Sequence, residues 1–201
     1  MTATTVNHAH HEEHHHDDGS KSLFGFWTFI LSDCVMFAAL FACYIVLKDQ
    51  TYGNIGIAQI ASPGYVFLTT LFLLACSFTY GIGSAAAQAG SRCRVLLWLV
   101  VTAILGVIFV FMTLHEFAVL LHNHHTWQQS AFLSAFFSLV GIHMIHVAVA
   151  VLWALVLVVQ FLMQGMTTVT KTRLACMGMF FHFLNLVWVF IFIVVYMMGI
   201  A

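Results

Sequence analysis

The sequence predicts an all-α integral membrane protein of five transmembrane helices, with a cytoplasmic N-terminus and a periplasmic C-terminus. Three observations carry this. Of the 201 residues, 62% are hydrophobic and 6% charged, against roughly a quarter charged in an ordinary soluble domain, and the mean hydropathy is +1.00. A soluble domain near this length leaves about 30% of its unfolded surface exposed, so apolar surface on this scale belongs in lipid. Next, residues 23–47, 64–89, 95–116, 130–163 and 174–200 each reach the ~20 apolar residues that a bilayer core needs in helix. Finally, Lys21, Arg92, Arg94, Lys171 and Arg173 fall at one side of these spans and only Lys48 at the other, which the positive-inside rule reads as the orientation given above.

Residues 1–22 have no apolar signal-peptide core and read as a disordered cytoplasmic tail. It holds His8, His10, His11, His14, His15 and His16 among Glu12, Glu13, Asp17 and Asp18. Such a tract binds divalent metals weakly, as a bystander or in metal delivery. In the first span, Asp33 lies 12 residues beyond Lys21, about 18 Å along a helix, and so near mid-membrane. An intramembrane acid is costly and needs a partner or a proton. Asp33 therefore either locks helices together or takes part in proton or lipid chemistry.

Pro63 opens the second span, where its missing N–H does no harm. Within that span Ser77, Gly81, Ala85 and Ala89 recur every four residues, a smooth stripe expected to admit another helix, from this chain or another. The third span ends with His115 and Glu116, about 30 Å from its start, and Glu116 is expected as an anchor at the outer interface. His122, His124 and His125 follow, and with Glu116 they form at most an adventitious metal group. The fourth span, about 50 Å if wholly helical, must tilt or project beyond the lipid. Its His143 and His146 share one helix face by their three-residue spacing, as do His182 and Asn185 in the fifth span. These imidazoles are candidates for interhelical hydrogen bonding, haem ligation or a proton relay.

A net charge of -1 gives no reason to expect nucleic acid as a partner. The five cysteines include no C-x-x-C pair, and Cys34, Cys43, Cys76 and Cys176, set in apolar runs, are expected as buried thiols rather than a disulfide scaffold. A di-iron bundle needs about four inward carboxylates, more than the spans supply. No phosphate loop, nucleophile triad or redox motif is present, nor the inverted repeats and broken helices of many secondary transporters.

Three strings resemble a known family: FGFWTFILSDCVMFAALFACYIVL at Phe24–Leu47, SAFLSAFFSLVGIHMIHV at Ser130–Val147 and FHFLNLVWVFIFIVVYMMG at Phe181–Gly199. They are similar, in order and over nearly the whole chain from Leu23, to subunit III of the haem–copper oxidases, most of all to its five-span form in ubiquinol oxidases. The resemblance implies a non-catalytic subunit of a proton-pumping ubiquinol oxidase in a bacterial inner membrane, with partner subunits I, II and IV. No haem, copper or other cofactor is implied in this chain; haem and copper belong to subunit I, and phospholipid and ubiquinol to the complex. The subunit is expected to stabilise subunit I, to hold phospholipids in a cleft between its helices and to support proton uptake. Asp33 matches a position where cytochrome c oxidases carry a buried Glu. Glu116 with Phe117 matches the family's Glu–aromatic pair. His143 and His146 match a G-x-H-G-x-H-V pattern, and His182 a W-H-F-x-D-x-V-W pattern, both used without a cofactor. Met144, Phe181 and Asn185 depart from the usual Gly, Trp and Asp; Asn185 keeps hydrogen bonding but cannot titrate. The alternatives are a short-form subunit III of a cytochrome c oxidase and, from another class, a histidine-using metal or proton transporter.

Overall fold

A computed structural model describes residues 6–50, 63–122, 128, 130–165 and 167–197, the side chains of 6–20 and of Pro63 excepted. The described residues form helices and no strand. In chain order these are α1 (Val6–Leu47), α2 (Pro63–Gln88), α3 (Arg92–His122), α4 (Ala131–Gln164) and α5 (Thr168–Ile191), the last continuing into a π-helical turn at Phe192–Met197. Each contains a stretch long and apolar enough to cross a membrane: Lys21–Leu47, Gly64–Gln88, Arg92–His122, Ala131–Gln164 and Thr168–Met197. The expected all-α, five-span architecture is therefore present. Helices α3 and α5 start earlier than the hydropathy suggested, because Arg92, Arg94, Lys171 and Arg173 are carried on them as polar ends. Helix α1 begins at Val6, ahead of the His-rich tract, whose side chains lie outside the described residues, as do His124 and His125.

Local chemistry sets the ends that matter most. At the end of α2, Gly90 adopts φ 74°. The Gly90 and Ser91 N–H groups donate to the Ala87 and Ala86 carbonyls, the Schellman pattern that closes a helix through a left-handed residue. Only Ser91 then separates this turn from α3. Helix α4 is capped by Ser130, whose hydroxyl accepts from the Leu133 N–H at 3.1 Å, and α5 by Thr167, which accepts from the Thr170 N–H at 3.2 Å. Between α4 and α5, Gly165 at φ 69° donates its N–H to the Phe161 carbonyl. These tight connections gather the starts of α3 and α5 with the ends of α2 and α4 at one end of the bundle, called here the basic end.

Helix α5 packs against α1, α2 and α4; α3 packs against α2 and α4; α1 lies against α4 and α5. Lipid tails are as apolar as leucine, so close fit rather than water exclusion joins such helices. The closest approaches occur at glycines. A Cβ on Gly106 of α3 would stand 2.5 Å from Val151 Cγ2 of α4, and one on Gly83 of α2 would stand 3.1 Å from Trp98 Cβ of α3. The stripe expected at Ser77, Gly81, Ala85 and Ala89 is a different face. Ser77 is buried, Gly81 has nothing within 4 Å of its Cβ position, and Ala85 and Ala89 are exposed. The close α2–α3 contact runs instead through Cys76, Thr79 and Gly83. The cysteine expectation divides as well: Cys76 and Cys176 are buried, but Cys34 and Cys43 are exposed, because α1 has neighbours on one side only.

Gly106→Ala is expected to destabilise the chain by about 1–3 kcal/mol, the usual cost of overpacking, and Val151→Ala should recover most of that loss. Gly81→Ala, with open space around it, should leave thermal stability in detergent unchanged.

Candidate functional site

The spacing of α1 turns Ile30, Asp33, Phe37 and Tyr44 inward, and Asp33 is 7% exposed. Across from it α4 presents both of its span histidines. His146 Nδ1 lies 2.8 Å from the Ile142 carbonyl, and since a carbonyl only accepts, that nitrogen carries the hydrogen. Nε2 is left to face Asp33 Oδ2 at 3.7 Å. Two bare lone pairs repel, so the pair is favourable when it holds one further proton, as acid beside imidazole or carboxylate beside imidazolium.

His143, one turn earlier on α4, is fully buried and reaches the other way. Its Nε2–H donates to the Leu184 carbonyl of α5 at 3.0 Å. Its ring is enclosed by Trp188, Phe109 and Phe37, with centroids 5.1, 6.1 and 6.3 Å away. Trp188 Nε1–H donates to Thr70 Oγ1 of α2 at 3.0 Å. A continuous seam therefore runs from α1 through Asp33, His146 and His143 to α5, and through Trp188 to α2. Among the described residues, Asp33 Oδ2, His143 Nδ1 and Asn185 Oδ1 are buried with no hydrogen-bond partner.

The remaining expected residues lie apart from this seam. His182 is exposed on α5, and Asn185 is half-buried beside it. Glu116 is more than an interfacial anchor: it is half-buried and accepts from the Tyr196 hydroxyl at 3.4 Å. Tyr196 comes from the π-helical turn, where one extra residue per turn rotates its side chain onto α3. Among the described residues no group of three or more His, Cys, Asp or Glu could hold a metal ion.

A cavity of about 610 Å³ opens at the basic end between α1, α4 and α5. Phe26, Phe29 and Trp153 form its apolar wall, and Thr168, Thr172 and Arg173 its polar rim. Arg173 is held there by donating from Nη1 to Gln160 Oε1 at 2.7 Å. Phe180 packs against Phe26, Phe29 and His146, at 6.3, 6.1 and 6.3 Å between centroids, and so joins the cavity wall to the seam. Nothing in the apolar pattern of α1 or α5 singled out these aromatic residues; only the polar rim, at a predicted membrane interface, left a trace in the sequence.

A profile of the family described as cytochrome c oxidase subunit III matches residues 3–200. The chain is 42% identical over 193 residues to cytochrome bo(3) ubiquinol oxidase subunit 3 of Pseudomonas aeruginosa, covering 96% of this chain and 90% of the relative. It is 35% identical to quinol oxidase subunit 3 of Bacillus subtilis, covering 91% and 90%. It is 36% identical to cytochrome c oxidase subunit 3 of Bacillus sp. strain PS3, covering 90% and 88%.

The seam makes its own forecast. In a double-mutant cycle of Asp33→Ala with His146→Phe, unfolding in lipid or mixed micelles should give a favourable coupling of about 0.6 kcal/mol, the average for polar pairs between membrane helices, and no more than about 1.7 kcal/mol. Additive losses would mean the two side chains do not interact.

Proposed function

Because the chain belongs to the cytochrome c oxidase subunit III family, we propose that it is the third subunit of a proton-pumping ubiquinol oxidase that reduces O2 to water. It is an accessory subunit of a quinol oxidase and not the catalytic one. The observation that carries the quinol reading is the 42% identity to the Pseudomonas aeruginosa ubiquinol oxidase subunit over 96% of the chain, supported by the quinol oxidase relative in Bacillus subtilis. The cytochrome c oxidase relative in Bacillus sp. strain PS3 favours the second reading, a short-form subunit III serving cytochrome c.

In the proposed setting the basic end faces the cytoplasm of a bacterial inner membrane, as the bias of Lys and Arg supports. Haem and copper belong to subunit I, with subunits II and IV completing the complex. This chain contributes a rigid, lipid-bearing wall. The α1–α4–α5 cavity suits a phospholipid: the guanidinium of Arg173 and the hydroxyls of Thr168 and Thr172 for the headgroup, Phe26, Phe29 and Trp153 for an acyl chain. Asp33 lies one helical turn beyond Phe29, so the Asp33–His146 pair borders the lipid it would help retain. His182 is exposed at membrane depth, a costly position in lipid, and we assign its face of α5 to a neighbouring subunit. Glu116 and Asn185 act in helix joining rather than in chemistry.

Purification of the complex from its own membranes, with a subunit census and a reduced-minus-oxidised spectrum, tests the assignment. The chain should co-purify with a larger haem-bearing polypeptide that keeps its haem when this chain is stripped away. Recovery of the chain alone with haem bound would overturn it. Asp33→Ala should lower the ratio of this chain to its partners, or the retained phospholipid, by a larger factor than it lowers turnover. An unchanged ratio with collapsed turnover would reverse that ordering.

A further inference from the structure

The last turn of α5 departs from the α-helix at a point where a single residue changes what the helix shows its neighbours. Up to Ile191 the inward side is regular: Leu184, Trp188 and Ile191 are buried, with Asn185 and Val189 half-buried beside them. An α-helix turns about 100° per residue. Continued past Ile191, it would bring Val195, seven residues after Trp188, to the inward side. Tyr196 would fall on the line of Asn185 and Val189. The π-helical turn at Phe192–Met197 takes up one extra residue, so Tyr196 arrives where Val195 would have stood. It is 2% exposed there. Its ring meets Phe136 of α4 edge-on at 6.2 Å, and its hydroxyl donates to Glu116 Oε1 of α3 at 3.4 Å.

A π-helical turn is rare and needs a cause in its surroundings. Apolar packing alone does not call for one, since Val195 would also fill the inward place with an apolar side chain. The acid does. Glu116 is half-buried at the outer end of α3 and, among the described residues, Tyr196 is its hydrogen-bond donor. Tyr65, another hydroxyl within electrostatic range of Glu116, gives its hydrogen to the Met112 carbonyl at 2.8 Å. With Val195 in the place of Tyr196, the carboxyl group would face an apolar side chain. At 3.4 Å the bond is long for O–H···O, which suits a catch that can open rather than a permanent joint.

We propose that the end of α5 is a two-register switch. Acceptance of the Tyr196 hydroxyl by Glu116 holds the π register. Its loss returns the turn to the α register, with Val195 against α3 and Tyr196 rotated by about 100°. Tyr196 then joins the line of Asn185 and Val189, at the edge of the face that carries His182, so the switch sets the outer end of that face. It uses only residues of this chain and stands independently of the oxidase assignment.

The test places meta-fluorotyrosine at position 196 of the native complex in nanodiscs. Its fluorine resonance is read against a lipid-dissolved nitroxide, which broadens exposed rings and spares buried ones. Glu116→Leu should raise the broadened share about fivefold, the population change set by one net hydrogen bond. Glu116→Gln, which keeps a carbonyl acceptor, should leave the ring protected. Deletion of Val194 removes the extra residue, so that a plain α-helix delivers Tyr196 to the inward side. Added to Glu116→Leu, this deletion should restore protection. A protected ring in Glu116→Leu alone would show that packing sets the register and overturn the switch. Equal broadening in Glu116→Gln and Glu116→Leu would overturn it too. So would failure of the deletion to restore protection, which would mean unravelling rather than rotation. Should Glu116→Leu not assemble, para-fluorophenylalanine at position 196 with Glu116 intact decides: broadening supports the switch and protection overturns it.

Discussion

The hydrogen bond from His143 Nε2 to the Leu184 carbonyl sets the register between α4 and α5, and the polar links to two further helices depend on it. Within a bilayer no water is present to satisfy a polar group, so each must find its partner in protein. Once His143 is fixed on α5, Trp188 packs tilted against its ring and donates to Thr70 of α2. His146, three residues on, is then aimed at Asp33 of α1. Four helices are joined through a connected set of polar side chains and rings. Helix α3 enters differently, through the glycine contacts at Gly83 and Gly106 and through the Thr79–Thr102 hydroxyl pair at 3.0 Å.

The seam also defines where the chain is incomplete. Among the described residues, Asp33 Oδ2 and His143 Nδ1 in the seam and Asn185 Oδ1 outside it are buried without a hydrogen-bond partner. The last lies beside the exposed face of α5, and Asp33 lies on α1, the least buried of the five spans. A buried polar atom without a partner costs about 1–3 kcal/mol. A chain that carries three of them is less demanding to keep folded beside other subunits than alone. The outward faces of α1 and α5 are thus where an accessory subunit would meet lipid or protein, and the α1–α4–α5 cavity lies between them.

How much of this could be read from the sequence depended on whether the bilayer or the protein supplied the constraint. Span number and approximate ends follow from hydrocarbon thickness, so 23–47 and 130–163 anticipate the apolar stretches Lys21–Leu47 and Ala131–Gln164 closely. Which face of a span turns inward is another matter. Lipid and protein interior are equally apolar, so no amphipathic period marks the inner face, and the stripe at Ser77, Gly81, Ala85 and Ala89 pointed away from the real contact at Gly83. Polar residues were the exception: Asp33, His143 and His146 were singled out because each is costly in lipid, and the structure brings all three to one seam. Their division of labour was not legible, because a three-residue spacing puts His143 and His146 on one side of α4 without saying that they serve different neighbours. The π-helical turn was not legible either. It left Glu116 as an apparent interfacial anchor when its partner, Tyr196, arrives only through the change in helical register.

The two kinds of polar device in the chain answer to different solvents. In mid-membrane, where no counterion can follow, the side chains are few, short-ranged and tied to backbone or to one another, as with His143 and Asp33. At the basic end Arg173 holds its guanidinium against a cavity with one apolar wall. Gln160 fixes it there. Placing a charge so costs little at an interface and would cost several kcal/mol at mid-depth. The sequence concentrates four of its six basic residues at the ends of α2–α3 and α4–α5, the two short connections that gather helices together. The same turns that close the bundle thus carry the charges that face the headgroup layer, which couples the packing of the helices to the lipid around them.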